Sequence, residues 1–247
     1  MADWLGLLRS FVIYWRPGRQ RGLRRLYAPL VREGDLVFDV GAHLGDRAVA
    51  FSALGAKVVA LEPQPSVVRW LRRIVRGDAR IEVRAEAVGQ ESGTARLTVS
   101  RRNPTVSTLS SRWRGRVAEA NPGFRSVTWD ETVEVPVVTL DALIETYGVP
   151  AFVKIDVEGH EPEVLAGLTR SLPALSVEFV AGDLAATSLC VRRLSELARY
   201  EFNVVLGEGR DFLWEPWRTS EAVVGWLDEG ASGASSGDVY ARKVDET

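Results

Sequence analysis

The 247-residue chain is 46% hydrophobic and 26% charged, enough apolar side chain for one large α/β core, and its formal net charge of −2 argues against a general nucleic-acid binder. Cys190 is the sole cysteine, which excludes internal disulfides and cysteine-rich zinc sites; nothing points to an oxidising compartment, so a cytoplasmic location is expected.

Residues 1–33 read as an N-terminal helical extension. The apolar stretch Leu5 to Trp15 is interrupted by Arg9 and falls short of the roughly 20 residues needed to span a bilayer. It also lacks a basic leader and a small-residue cleavage site, so neither a membrane span nor a signal peptide is expected. Trp4, Leu8, Phe11 and Trp15 share one helical face. That face suits packing on the core or on a second copy of the chain, which would make a homo-oligomer through this helix, with interfacial membrane contact as the alternative.

From residue 34 to 247, strand and helix signals alternate as a doubly wound sheet requires. Leu36–Val40 is an apolar strand carrying Asp39, followed by the turn Gly41-Ala42-His43-Leu44-Gly45 and a helix over Asp46–Leu54. Lys57–Leu61 is a second strand, ending at Glu62-Pro63. An apolar strand, a glycine turn opening a helix and a carboxylate after the next strand describe a nucleoside-binding crevice. Gly41 and Gly45 keep side chains away from a ligand, Glu62 can accept both ribose hydroxyl protons, and His43 shapes the loop or touches the ligand. The spacing is G-x-x-x-G rather than G-x-G-x-x-G, no G-K-[ST] cradle follows, and Asp46 at the helix start repels phosphate. With Asp39 also present, the crevice suits a cationic ligand without phosphates, a description that S-adenosylmethionine fits. An NAD-dependent oxidoreductase and a catalytically silent nucleoside-binding partner protein are the rival readings.

A helix over Ser66–Val75 leads to a third strand, Ile81–Val88, whose Glu86 and Ala87 fall where such folds contact an adenine edge. Ala95–Ser100 reads as an added strand. Residues 101–130 show no sustained period, and an irregular insertion of that length in a compact domain is usually functional or disordered. Its Ser107, Thr108, Arg112 and Trp113, with Arg101, Arg102 and Arg114, offer hydroxyls, guanidinium groups and an aromatic face to an acceptor.

Val133–Val137 is a strand, with a helix capped near Thr139, and Phe152–Val157 follows as a buried strand. If that strand continues, Asp156 and Glu158 point to one side of it. They can hold an ammonium group, polarise a hydroxyl or bind a cation; Glu158 can alternatively cap the helix that Pro162 opens. His160, in the same loop, is a candidate general base. Glu178 interrupts the apolar strand Leu175–Val180, a costly position unless it is paired or faces the crevice. Asp156 with Glu178 or Asp183 could supply oxygen ligands for Mg²⁺. A helix over Thr187–Tyr200, a strand over Phe202–Leu206, a flexible Gly/Ser tip after Gly230 and a last strand over Val239–Val244 complete the reading.

Asp39–Gly45, Leu61-Glu62-Pro63, Ala87-Val88-Gly89 with Gly93, and Thr139-Leu140-Asp141 leading into Val153-Lys154-Ile155-Asp156-Val157-Glu158-Gly159-His160-Glu161 together resemble the FkbM-type methyltransferases, over about Gly34 to Phe179. His43 stands where that family commonly has Asn, and His160 where a small residue is common. The resemblance implies a Rossmann-like class I methyltransferase fold with a mostly parallel seven-stranded sheet and helices on both faces. It also implies S-adenosylmethionine as methyl donor, Asp156 facing it, and O-methylation of a sugar hydroxyl in a glycan or glycolipid, or of a secondary metabolite. The loop Asn103–Leu109 is similar to the family's serine-containing loop.

Overall fold

A computed structural model describes residues 11, 15, 16, 18–120, 124 and 127–244. Trp4 and Leu8, half of the proposed N-terminal apolar face, lie outside these residues. Of the other half, Phe11 and Trp15 stack with ring centroids 6.1 Å apart.

In chain order the elements are α1 (Arg19–Tyr27), β1 (Leu36–Val40), α2 (Asp46–Ala53), β2 (Lys57–Leu61), α3 (Pro65–Ile74), β3 (Ile81–Arg84), β4 (Ala87–Val88), β5 (Gly93–Val99), α4 (Ser111–Ala120) and β6 (Glu131–Val138). Then come α5 (Leu140–Tyr147), β7 (Phe152–Ile155), α6 (Glu161–Ala166), β8 (Ala174–Val180), α7 (Leu184–Leu197), β9 (Tyr200–Leu206), α8 (Ser220–Asp228) and β10 (Ser236–Lys243). Seven strands form one sheet in the order β3-β2-β1-β7-β8-β10-β9. Only β10 runs against its neighbours, pairing antiparallel with both β8 and β9. This is the expected mostly parallel α/β sheet, and its order reverses between β1 and β7, where open α/β sheets bind ligands.

Strand alternation sorts the core into two layers. Phe38, Val40, Val59, Leu61, Val153, Ile155, Leu175 and Val177 face the layer under α5 to α8. Val37, Val58, Ala60 and Phe152 face the layer under α1 and α2, where Leu23, Leu26, Tyr27 and Phe51 are buried. Asp39, Lys154, Ser176, Glu178 and Asp238 alternate onto this second layer. The register sets Asp39 beside Lys154, Lys154 beside Ser176, and Glu178 beside Asp238. A polar stripe therefore crosses the face of a buried parallel sheet near its carboxyl end.

Several expected segments change. The strand expected over Ile81–Val88 breaks at Arg84, because Ala87–Val88 leaves the main sheet to pair with β6 in a separate sheet ordered β4-β6-β5. The stretch 101–130 is not wholly irregular: it holds a 3-10 turn over Pro104–Val106 and helix α4. Phe152–Val157 stops as a strand at Ile155. The segment after Gly230 is packed rather than a loose tip, with Ala231 buried and Trp226 Nε1 donating to Ser232 Oγ at 2.8 Å. Helix α8, capped by the Thr219 hydroxyl, is an element the sequence reading lacked.

Gly41 has φ +82, and a Cβ there would overlap the Asp156 carbonyl oxygen. At Gly45 (φ +77) a Cβ would meet Leu71 Cδ1 at 2.5 Å. Chain packing and the positive φ by themselves therefore demand glycine at both turn positions. Gly41→Ala is expected to lower unfolding free energy by about 4 kcal/mol or more, because backbone must move to admit it; urea denaturation followed by circular dichroism checks this.

Candidate active site

A cleft with about 1150 Å³ of empty space, its open mouth included, lies over the carboxyl ends of β1, β2, β7 and β8. The turn after β1 is strapped to β2, with the Gly41 and Ala42 N–H groups donating to the Leu61 carbonyl at 3.0 and 2.9 Å. His43, at φ 47, directs its backbone N–H to Glu62 Oε2 at 3.0 Å, and the Gln64 N–H meets Oε1 at 2.8 Å. Each Glu62 oxygen takes one backbone donor and keeps a further lone pair. Burial outweighs those two hydrogen bonds and raises the Glu62 pKa to about 7. Burial likewise raises Asp39 to about 7, with Arg47 opposing, and Asp39 Oδ2 has no hydrogen-bond partner. Burial lowers His43 to about 4, so its imidazole is neutral at physiological pH.

At the floor, Lys154 is fully buried, its ammonium 2.8 Å from Asp238 Oδ1 and 3.1 Å from Asp156 Oδ2. The side chain reaches from β7 past β8 to β10, and the small Ser176 on β8 leaves room for it. Burial disfavours the ammonium, yet Asp156 and Asp238 hold it charged, with a pKa above the usual lysine range. Lys154 and Arg47 in turn hold Asp156 below the usual carboxylate range despite its own burial.

Asp156, Glu158 and Glu178 present carboxylate oxygens within 4.8 Å of one another. Three charges cannot share that space beside a single ammonium. Burial and the Asp156 charge push Glu158 and Glu178 well above their ordinary values, so the cluster holds one anion and two neutral acids. Glu158 reaches the cluster through a left-handed backbone (φ 54), not through strand periodicity, because β7 has already ended. Nor does it cap α6: Glu161 accepts from the Val157 and Gly159 N–H groups at 3.0 and 3.3 Å. His160, at the start of α6, lines the cleft. Burial lowers its pKa, and its Nδ1 lies 3.6 Å from Glu163 Oε2.

Of the residues singled out from the sequence, Asp39, Gly41, His43, Asp46, Glu62, Pro63, Glu86, Ala87, Ser107, Thr108, Asp156, Glu158, His160 and Glu178 line this one cleft. Ser107 Oγ donates to Gln64 Oε1 at 2.8 Å, and Thr108 Oγ1 to the Glu158 carbonyl at 2.6 Å, which ties the 101–110 segment down as a roof. Four positions depart from the reading. Gly45 is outside the lining, packed against Leu71. Arg112 is exposed on α4, away from the cleft. Trp113 is 1% exposed and packs with Val117, Val180, Phe124 and Trp129, so it offers no face to a ligand. Asp183 pairs with Arg116 at 2.6 Å and is not part of the carboxylate cluster. Asp46 keeps its place but not as a bare carboxylate, since Arg19 binds it at 2.6 Å.

Arg47, Lys154 and Asp238 were not foreseen as site residues. Lys154 carries a signal, a lysine inside an otherwise apolar strand; Asp238 and Arg47 carry none without knowledge of β10's place in the sheet.

The family model described as Methyltransferase FkbM domain matches residues 39–202. Hexuronic acid methyltransferase AglP of Haloferax volcanii is 31% identical over 181 residues, 70% of this chain and 66% of that protein. 31-O-demethyl-FK506 methyltransferase FkbM of Streptomyces tacrolimicus is 33% identical over 161 residues, 56% of this chain and 61% of that protein. The chain spans a little under two thirds of the length of these curated relatives. Among solved structures, precorrin-6y C5,15-methyltransferase from Geobacter metallireducens superposes with a TM-score of 0.48 at 12% identity, over 92% of this chain and 87% of that one.

Replacing Lys154 by Met leaves Asp156 and Asp238 buried without their shared cation and is expected to cost about 3–5 kcal/mol near pH 7. Asp156 has a depressed pKa, so its contribution is present above pH 4 and is lost as pH falls further. The variant's deficit should therefore shrink toward acid pH in urea titrations, whereas a packing defect would persist.

Proposed function

The chain belongs to the FkbM methyltransferase family, and from that premise we propose that it transfers a methyl group from S-adenosylmethionine to a hydroxyl of a sugar or glycan, or of a secondary metabolite. The observation that carries this reading is the conjunction, in one cleft, of Glu62 with its spare lone pairs and the carboxylate cluster around Asp156. The names of the two relatives, a hexuronic acid methyltransferase and a 31-O-demethyl-FK506 methyltransferase, support a hydroxyl-bearing acceptor.

The residues present fit such a donor. Glu62 accepts from the ribose hydroxyls, Glu86 and Ala87 border the adenine, and the orphaned Asp39 Oδ2 takes the ammonium group. Glu86 is held in place by Arg84, whose Nη2 lies 2.9 Å from Glu86 Oε1. S-adenosylmethionine supplies, when bound, a sulfonium-activated methyl group for in-line displacement, and S-adenosylhomocysteine leaves. Asp156, kept ionised by Lys154, accepts a hydrogen bond from the acceptor hydroxyl and orients its oxygen. Neutral His160 takes the hydroxyl proton, and Glu163 beside its Nδ1 stabilises the imidazolium that results. Ser107, Thr108 and the protonated Glu158 and Glu178 border the acceptor side. Because Lys154 already neutralises Asp156, the cluster does not need Mg²⁺ for charge balance, and a chelator is expected to leave turnover unchanged. Among the described residues no helix is long and apolar enough to cross a membrane.

Calorimetric titration should give micromolar binding of S-adenosylmethionine and S-adenosylhomocysteine, lost in Glu62→Ala. Binding of NAD alone would overturn the proposal. Since ribose hydroxyls favour the ionised form of a carboxyl with a pKa near 7, binding should weaken about tenfold from pH 8 to pH 6 and release a proton. Glu62→Gln should reduce that pH dependence to the part that comes from Asp39, whose carboxyl also titrates near 7.

His160→Ala should lower kcat about 10²- to 10⁴-fold for the accepted hydroxyl and abolish the acid limb of the rate profile, with donor affinity unchanged. Unchanged turnover between pH 6 and 9 would dismiss His160 as the base.

A further inference from the structure

Arg47, the second residue of α2, lines the cleft, and its side chain is 13% exposed. It donates no hydrogen bond to any described group. The nearest carboxylates, Asp46 Oδ1 and Asp238 Oδ2, stand 3.7 and 3.9 Å from its terminal nitrogens, too far for hydrogen bonds, and its Nε is buried without a partner. Its neighbours Asp46, Glu208 and Asp238 each have a closer cation. Arg19 holds Asp46 at 2.6 Å and Glu208 at 2.8 Å, Arg210 also reaches Glu208 at 3.5 Å, and Lys154 holds Asp238 at 2.8 Å and Asp156 at 3.1 Å. A guanidinium kept this dry with its donors unused is unfavourable by itself and becomes favourable when an anion completes it.

The surroundings restrict that anion. Asp46, Asp238 and Glu208 flank the position, so a phosphate dianion meets repulsion from three sides, whereas a carboxylate carries a single charge in a plane that matches the guanidinium fork. Around the four acids Asp46, Glu208, Asp238 and Asp156 stand the four cations Arg19, Arg47, Arg210 and Lys154, so the network is balanced while Asp39 is protonated. A carboxylate is accommodated best when a cation enters with it, and the unpartnered Asp39 Oδ2 in the same cleft can receive one.

The geometry points to Arg47 as the residue that binds a ligand carboxylate in this cleft. This inference rests on the methyl-transfer reading above. Two ligands of that reaction can bring such a group: the aminocarboxyl end of the donor, or an acid group on the acceptor.

The full chain and its Arg47→Gln and Arg47→Lys variants are titrated with S-adenosylmethionine and with decarboxylated S-adenosylmethionine, which keeps the amine and the nucleoside. If the carboxylate is the donor's, the wild type binds the intact donor about 10- to 100-fold more tightly, Arg47→Gln removes the difference without changing the decarboxylated ligand, and Arg47→Lys restores part of it. If it is the acceptor's, Arg47→Gln leaves both donor affinities unchanged and raises KM about 10- to 100-fold for a uronic acid but not for the matching neutral sugar. Equal losses for all four ligands, or no change for any, overturn the inference. A wild type that binds neither adenosyl ligand overturns the methyl-transfer reading itself, and this inference with it.

Discussion

One buried ammonium organises the site. Lys154 lies on the central strand of the sheet, fully buried in the polar stripe that crosses its face, and desolvating it is tolerable only because Asp156 and Asp238 meet it from two sides. Those contacts tie the end of β7 to β10, fix Asp156 in its ionised state and thereby force protons onto Glu158 and Glu178. The distribution of charge in the cleft follows from that pairing. So does the size of the residue between: a branched or longer side chain in place of Ser176 would stand in the lysine's path across β8.

The roof and the floor are linked by packing rather than by charge. A Cβ on Gly159, at φ +84, would overlap the Trp113 indole, so the glycine of the Val157-Glu158-Gly159 turn is the seat on which the inserted helix rests. Thr108 bonds the carbonyl of Glu158 next to it. The turn that bends Glu158 into the carboxylate cluster therefore also anchors the segment covering it, and neither can be reshaped independently of the other.

The parts of the fold legible in the sequence were those governed by local pattern. Leu36–Val40 and Lys57–Leu61 have a strand's length and apolarity, Thr139 is a good N-cap, Pro162 opens a helix, and each falls where expected. Glu62 was legible because a carboxylate ending a buried strand has few other uses. Trp113 and Arg112 were misjudged because a tryptophan among arginines looks the same in sequence whether its face meets solvent, ligand or core. Long-range partners decided the rest. Asp238 and Lys154 are 84 residues apart, Arg19 and Asp46 belong to different helices, and the departure of Ala87–Val88 from the main sheet depends on β6, some 50 residues downstream. The packing neighbours of the two turn glycines, Asp156 and Leu71, likewise come from elsewhere in the chain.

The antiparallel insertion of β10 sets the order in which the molecule can mature. It follows both β8 and β9 in the chain yet separates them in the sheet, so during folding those two strands must wait apart with facing edges unpaired. Until β10 enters, Lys154 has only Asp156 for a counterion, and Gly237 and Asp238 are missing from the cleft wall. The hydrophobic layers can assemble around β1, β2 and β7 well before that. A nascent chain can thus possess a native-like core while its site is still incomplete, and recognition of a ligand becomes a late checkpoint on correct assembly.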